Sequence, residues 1–547
     1  MHTDPQEPHW IEAPTLAQLL QRGQTVSRLG GRQIALFVHE GQVLACNNRC
    51  PHEGYPLCEG TLDTTGVLTC QWHNWKFDLR SGTNLYGGDA LRVYPVRMDA
   101  GRVWVDVSEP PAAQRIATLL AQLDTAMDDN DPARITRELA RLEQAVGESA
   151  DAGALAISHA ISRSHERLRY GMTHAYAGAD AWLTLRDTLA DPGQRLACVG
   201  EALAHIGFDT MRESPYPCPY PYTTARGIWN PTAMLQALEA QDEPGAIAQL
   251  NDALARGLAF GEMEPVFAQA ALAHYNDFGH SLIYLTHVRS LIARLGPDAA
   301  APLLRAWVRA LVYATREDLL PDFKGYADAL AQWPSAALPT GAHAALPAAV
   351  FEARTIRQTL AATVEAARQH DPLTLWQALM QAGAQHLLRF DERRAARTDN
   401  PLGDDVGWLD FSHALTFGHA LRQVCTRHPE LWPQGLLQMA LFVGRNTPHL
   451  ADDSDSAAAQ AAWQVADPDA FDALAIDQII DHGIGLPIFP VHRLKTWLAV
   501  CDTVALGTTP ETAQALRAAV RRLLSAQFKQ RHALRNARQA QRFVERE

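Results

Sequence analysis

From about Thr25 to Val107 the chain alternates apolar and polar residues in short runs, RQIALFV, QVLAC, GVLTC, WKFDL, LRVYPVRM and RVWVDV, separated by glycine-containing turns. A period of two over runs of that length predicts half-buried strands, so this stretch reads as a small all-β unit. After Glu109, Pro110 and Pro111 the period changes. Segments such as AQRIATLLAQLDTAMDD and ARITRELARLEQAV repeat their apolar positions at helical spacing and are rich in alanine and leucine, which predicts helices. The expected fold is therefore multidomain, with a small all-β domain over residues 1–109 and a large all-α domain over residues 110–547. Two stretches break the helical pattern, Pro215 to Pro231 and Trp333 to Ala349. The first reads as either a lid over a site or a rigid excursion. The second, at 333–349, is where the helical part would divide into two subdomains. The final RHALRNARQAQRFVERE reads as a solvated terminal helix.

At 547 residues the chain exceeds what one core accommodates. Its 47% hydrophobic and 20% charged residues are those of an ordinary globular protein. A net charge of −13 argues against nucleic acid as a partner, because phosphates would go unneutralised. The start, MHTDPQEPHW, lacks a basic segment followed by an apolar one, and no later run is apolar enough to span a bilayer, so no membrane association and a cytoplasmic location are expected. The 8 cysteines are sparse and lack the spacing of a disulfide framework, which agrees with a reducing compartment.

One pair of cysteines is patterned. CPHEGYPLCEG and CQWHNWKFDLRSG give Cys50-x-His52, then Cys70-x-x-His73. Two thiolates and two imidazoles suit either a zinc ion or a two-iron cluster. Zinc modules of this donor set close a tiny fold on short spacings, whereas here the four donors lie within an extended β unit flanked by Gly54, Gly60 and Gly82. The cluster is the better reading, and Cys46 and Cys58, which match no ligand position, read as packing residues.

On these motifs, residues 30 to 108 resemble the Rieske domains of bacterial ring-hydroxylating oxygenases and their ferredoxins. The resemblance implies a [2Fe–2S] cluster with Cys50 and Cys70 on the inner iron and His52 and His73 on the outer iron, near the surface. Rieske proteins of cytochrome bc complexes add one cysteine per loop, joined as a disulfide, where this chain has Tyr55 and Trp72. The likeness is therefore to the low-potential branch, which implies a potential near the lower end of the Rieske range, roughly −150 mV.

The helical part lacks the His-x4-His pair of the usual Rieske oxygenase iron site. Histidine is nevertheless conspicuous there, with 17 of the chain's 22 lying after residue 109. Pairs such as His159/His165, His274/His280/His287 and His413/His419 are six or seven apart. That spacing puts side chains about 120° apart, or about 10.5 Å apart on one face, so a metal site must draw on several helices. Asp277-Phe-Gly-His-Ser-Leu-Ile-Tyr284 matches Asp410-Phe-Ser-His-Ala-Leu-Thr-Phe417, with His287 and His419 following. The match predicts duplicated helical units. Two such helices could pair their Asp-x-x-His faces as Glu-x-x-His helices do in di-iron bundles, which makes Asp277, His280, His287, Asp410, His413 and His419 candidate non-haem iron ligands, with His280 and His413 the candidate catalytic pair. Equally, Asp277 and Asp410 each precede a helical run and read as N-caps. The segments LDFSHALTFGHALR and PIFPVHRLKTW are also similar to the questin-oxidase-like family of helical, histidine-rich oxygenases. That resemblance implies oxidation of a small aromatic or polyketide-like substrate and adds His482 and His492 to the candidates.

The expected function is an oxidoreductase, an oxygenase or oxidase, whose cluster takes electrons from a separate reductase or ferredoxin and feeds a site in the helical domain. Neither a dinucleotide-binding glycine motif nor a P-loop is present. The alternative is a non-catalytic electron carrier or redox sensor whose helices form a docking scaffold, marked by the absence of a buried polar site. A hydrolase is disfavoured, because no G-x-S-x-G or H-E-x-x-H occurs.

Overall fold

A computed structural model describes residues 8–212, 217–221, 228–316, 319–334, 346–352, 354–402, 405–451 and 456–545. The chain forms two compact units, Met1–Ala152 and Gly153–Glu547. Strands give way to helices after Asp106, but the first unit runs on to Ala152 and keeps two helices with its strands. The second unit is one body across the expected 333–349 seam, of which residues 335–345 lie outside the described residues.

In the first unit, β1 (Trp10–Ala13), β9 (Val96–Asp99) and β10 (Arg102–Asp106) form one sheet in the order β1-β10-β9. A second sheet orders β2 (Gln24–Leu29), β3 (Arg32–His39), β4 (Gln42–Asn47) and β8 (Val93–Tyr94). The third holds β5 (Thr61–Leu62), β6 (Val67–Thr69) and β7 (Lys76–Asp78). The β2–β3 hairpin closes on Gly30-Gly31 with φ of 54° and 79°, and β9–β10 on Ala100-Gly101 with φ of 44° and 79°. Left-handed conformations at both turn positions match the twist of the strands they join.

Strand β3 is buried on both faces. Ile34 and Leu36 enter a core with Leu29, Val43, Val103 and Val105, whereas Ala35 and Phe37 enter a second core with Cys46, Leu57, Leu68 and Phe77. That second core also holds Cys50 and Cys70, so the strand alternation anchors the two loops that carry the sequence motif. A short helix, α1 (Leu16–Arg22), precedes β2 and is capped reciprocally by Thr15 and Gln18; the β pattern that begins near Thr25 gives no sign of it. After β10 come α2 (Ala112–Asp128) and α3 (Pro132–Val146), the latter started by Asp131 accepting from Arg134 N at 3.0 Å with Pro132 at the first helical position.

The regular elements of the second unit are all helices among its described residues, apart from one isolated β-bridge between Phe390 and Leu450. Four of its helices matter most for chemistry: α4 (His174–Arg186), α5 (His280–Leu295), α6 (Trp408–Arg427) and α7 (Ile488–Ala505). Each packs on two of the others, α4 on α5, α5 on α6, α6 on α7 and α7 on α4, so the four close a ring. Among the described residues no helix is long and apolar enough to cross a membrane. All 8 cysteines are free.

The Pro- and aromatic-rich stretch Pro215 to Pro231 falls partly outside the described residues. Its described part is pinned rather than loose: Arg309 donates from Nη1 to Cys218 O at 2.9 Å, its guanidinium lies 3.8 Å over the Tyr220 ring, and Tyr220 Oη donates to His165 O at 3.0 Å.

Candidate functional site

The two motif loops of the first unit are copies of one turn. Cys50 N donates to Tyr55 O at 2.8 Å and Gly54 N donates back to Cys50 O at 2.8 Å; Cys70 N donates to Trp75 O at 2.8 Å and Asn74 N to Cys70 O at 3.0 Å. The fifth residue of each turn is left-handed, Gly54 at φ 79° and Asn74 at φ 60°. Glycine and asparagine are the residues that adopt this conformation most readily, which explains their places in the motif.

Both turns deliver a buried cysteine, and the rings of His52 and His73 meet edge to face with centroids 4.8 Å apart. His52 Nδ1 is buried and has no hydrogen-bond partner. Burial raises the Cys50 thiol, with Cys70 beside it adding to the rise, so holding the thiolate form at neutral pH would call for a bound cation. Two buried sulfurs, an orphaned imidazole nitrogen and a second imidazole nearby fit a two-iron cluster. His73 is half exposed and presents Nε2 to Glu53 at 3.7 Å, while Trp75 stacks on His52 at 4.3 Å and 18°. Tyr55 and Trp72 stack on each other at 4.0 Å and 15°, an aromatic clasp between the two loops.

In the helical unit four histidines converge, one from each helix of the ring. His280 Nε2 lies 3.0 Å from His174 Nε2 and 3.0 Å from His413 Nε2, and His413 Nε2 lies 3.3 Å from His492 Nε2. In three of the rings the other nitrogen faces a carbonyl oxygen four residues earlier: His280 Nδ1 at 2.9 Å from Asn276 O, His413 Nδ1 at 2.6 Å from Leu409 O, and His492 Nδ1 at 2.6 Å from Ile488 O. A carbonyl only accepts, so Nδ1 carries the hydrogen in each and Nε2 of the neutral ring is a bare lone pair. Lone pairs held about 3 Å apart repel one another, and a cation among them converts that repulsion into ligation. Four nitrogens at about 2.0–2.1 Å from one ion stand about 3.3–3.4 Å apart in a tetrahedral arrangement, and the three contacts of 3.0–3.3 Å along the series His174, His280, His413, His492 come close to that spacing; His174, His413 and His492 each offer a nitrogen within 4.8 Å of the other two.

The electrostatics agree. Burial pushes His174, His413 and His492 well below the ordinary imidazole value and His280 to about 4, with Lys495 adding to the effect in each case. Neutral rings are the form that ligates metals. Lys495 lies one turn beyond His492, is buried, and is held down at about 7 by that burial. His174 differs from the other three. As the first residue of α4 it has no carbonyl of its own helix one turn back, and its Nδ1 meets Tyr284 Oη at 3.2 Å instead.

Backbone strain is concentrated beside the cluster. Asn276, Asp277, Phe278 and Gly279 are all left-handed, with φ of 54°, 45°, 35° and 76°. Such a run costs of order 1 kcal/mol or more per non-glycine residue and persists only where the surroundings enforce it. Here it turns Asn276 O toward the His280 ring and lays Phe278 on His413 at 5.0 Å and 26°, with Arg445 at 4.4 Å on the Phe278 ring. At Gly279 an added Cβ would lie 2.3 Å from the Phe417 ring, so close approach as well as positive φ requires glycine there.

Of the residues singled out from sequence, His280, His413 and His492 meet in this cluster, while the others go elsewhere. Asp410 Oδ2 accepts from Gly407 N at 2.8 Å at the start of α6, and Asp277 lies exposed in the left-handed turn before α5; the two repeated blocks thus begin differently, one outside its helix and one inside. His287 Nδ1 bonds Asp180 at 2.8 Å and His419 Nε2 bonds Asp502 at 2.5 Å. These clasps tie α5 to α4 and α6 to α7, so each of these two helix pairs supplies two convergent histidines and one His–Asp clasp. His482 pairs with Glu201 at 3.1 Å. His174 was not signalled, because no second histidine accompanies it and only the Thr173 cap marks its helix start. Lys495 gave no signal either.

Two outcomes follow from these environments. Asp410 is not the N-cap but the third residue of α6, reaching back to the N-cap Gly407, so Asp410→Ala is expected to cost about 1 kcal/mol of stability, as loss of one such hydrogen bond does, while metal content measured by emission spectrometry stays unchanged. His386, fully buried on the helix Pro372–Arg389 with neither ring nitrogen partnered, is pushed to about 3 by burial. Its neutral ring favours the fold fully above its unfolded value of about 6.5, and that contribution is lost as pH falls from 6.5 toward 3. His386→Leu should therefore raise the melting temperature at pH 5 more than at pH 7.5, read by calorimetry at the two pH values.

A family model described as Rieske [2Fe-2S] domain matches residues 9–92. The ferredoxin component of the alkene monooxygenase system of Xanthobacter autotrophicus (strain ATCC BAA-1158 / Py2) is 28% identical over 103 residues, 19% of this chain and 84% of that protein. The ferredoxin component of the naphthalene 1,2-dioxygenase system of Pseudomonas putida is 30% identical over 101 residues, 18% of this chain and 96% of that protein. Among solved structures, the ferredoxin of carbazole 1,9a-dioxygenase from Nocardioides aromaticivorans IC177 is 25% identical, covering 19% of this chain and 100% of that one, with a TM-score of 0.17.

Proposed function

This chain belongs to the Rieske [2Fe–2S] family through residues 9–92, and from that premise we propose that it is an oxidoreductase whose two units divide one task, electron supply and substrate oxidation. Cys50, His52, Cys70 and His73 hold the cluster, which supplies one-electron transfer when bound. His174, His280, His413 and His492 hold a non-haem iron ion, which supplies oxygen activation toward a small organic substrate. The observation that carries this reading is the convergence of four Nε2 atoms with three Nδ1 atoms committed to carbonyls. A docking scaffold has no use for mutually repelling buried lone pairs, so the carrier alternative is disfavoured.

Imidazole ligands suit iron, and a one-electron donor in the same chain favours a redox-active ion over zinc, which has no redox chemistry. The carbonyls of Asn276, Leu409 and Ile488 fix the tautomers and aim the rings, as outer partners do at metal sites. Phe278 and Tyr284 wall the cluster and limit water. The electron donor to Cys50–His73 is a separate reductase or ferredoxin, the substrate is aromatic or polyketide-like, and the compartment is the cytoplasm, which suits 8 free cysteines.

The test is single-turnover oxidation. The iron-loaded chain is reduced with dithionite, freed of excess reductant and mixed with oxygen, and cluster reoxidation is followed by absorbance. The wild-type chain should reoxidise in a fast phase that disappears in His492→Ala. Equal rates in the two would overturn the reading.

A further inference from the structure

We infer that a latch between α3 and the loop after β7 positions Trp75 on His52 and so sets the reduction potential of the cluster; this rests on the [2Fe–2S] reading of the two motif turns. Helix α3 presents Arg134, Arg137 and Arg141 at spacings of three and four, along one face. All three reach Asp89, whose side chain is fully buried: Arg137 Nε donates to Oδ2 at 2.9 Å, Arg134 Nε pairs with Oδ1 at 3.0 Å, and Arg141 Nη2 stands 3.4 Å from Oδ2. Buried Glu138 pairs with Arg141 at 2.5 Å and balances part of the charge. A carboxylate buried this deeply is tolerated only with its counter-charges in place, so the loop that bears it is fixed to α3.

The residue before Asp89 carries the constraint inward. A Cβ added at Gly88 would lie 2.7 Å from Trp75 Cη2, 2.8 Å from Cζ3 and 2.8 Å from Asn84 Nδ2, so the backbone here is flush with the edge of the indole and with the Asn84 amide. The face of that indole covers His52 at 4.3 Å. Asn84 holds the same loop, donating from Nδ2 to Asp89 O at 3.3 Å. The route from α3 to a cluster ligand is thus Asp89, Gly88, Trp75, His52. Reduction adds one negative charge to the cluster, and water near it favours the more highly charged state. Solvent access is one determinant of such potentials. Trp75 limits that access, so displacing it should raise the potential.

The experiment measures midpoint potential and the nitrogen hyperfine coupling of the reduced cluster, by pulsed EPR, in the full chain carrying Gly88→Ala, Trp75→Leu, both together, or Asp89→Asn. Gly88→Ala is expected to shift the one-electron equilibrium about threefold toward the reduced state, roughly 28 mV at 59 mV per decade. In the Trp75→Leu background its effect should be greatly diminished, because most of it passes through the indole. Asp89→Asn, whose charge change alone moves the potential, is judged by the nitrogen coupling, which should change as it does in Gly88→Ala. An unchanged potential and coupling in Gly88→Ala at full cluster content would overturn the latch, as would a shift that persists undiminished without Trp75. Absence of any cluster signal in the wild-type chain would instead refute the [2Fe–2S] reading itself. Should Asp89→Asn fail to fold, the Gly88 and Trp75 variants decide alone.

Discussion

His413→Ala is expected to strip the ion from the helical unit and leave the cluster intact, so that iron falls from three to two per chain while the reduced-cluster EPR signal keeps its amplitude. His413 is the best choice because it sits in the middle of the set, its Nε2 3.0 Å from His280 and 3.3 Å from His492. Loss of a mere outer-shell partner typically costs 10–100-fold in metal affinity; loss of a ligand should cost at least about 100-fold, and substrate turnover should fall in parallel. Alanine also removes a buried ring that Phe278 covers, and circular dichroism would report any loss of fold. Iron content and turnover unchanged in a folded variant would remove the helical unit from the chemistry.

Cys70→Ser gives the complementary result. The expected loss is two irons, leaving one per chain, with the visible colour and the reduced-state EPR signal gone and reductase-driven turnover abolished. The two motif turns are each closed by their own backbone hydrogen bonds, but a cluster joining them links Cys50 and Cys70 across the second core of the first unit. Because metal binding to a folded site is also folding free energy, the first unit should melt several degrees lower in this variant. A variant that stayed coloured would mean that Cys70 is not a ligand.

The β unit was legible because its determinants are local. Alternating runs, glycine-rich turns and two cysteine–histidine pairs each sit within a few residues of chain, and the two turns are even built alike around Gly54 and Asn74. The helical site was legible only in part, because its geometry is non-local. His280, His413 and His492 come from segments that repeat or stand out, but what joins them is the closing of four helices into a ring, and no spacing along the chain encodes that. The repeat misled in one respect. It suggested that both Asp-x-x-His pairs act together, whereas Asp410 serves its own helix start and Asp277 an exposed turn. His287 and His419, which follow the repeated blocks, proved to be clasps to Asp180 and Asp502. His174 and Lys495 belong to the site only through tertiary packing, and a lone histidine at a helix start carries no mark of it.

Total iron per chain, determined on anaerobically purified, iron-loaded protein and set beside spin-quantified EPR of the dithionite-reduced cluster, bears most directly on the claim that the two units form one electron-fed oxidation system. Three irons per chain with one cluster spin are expected. Two irons with one cluster spin, in protein that still turns over substrate, would contradict that claim.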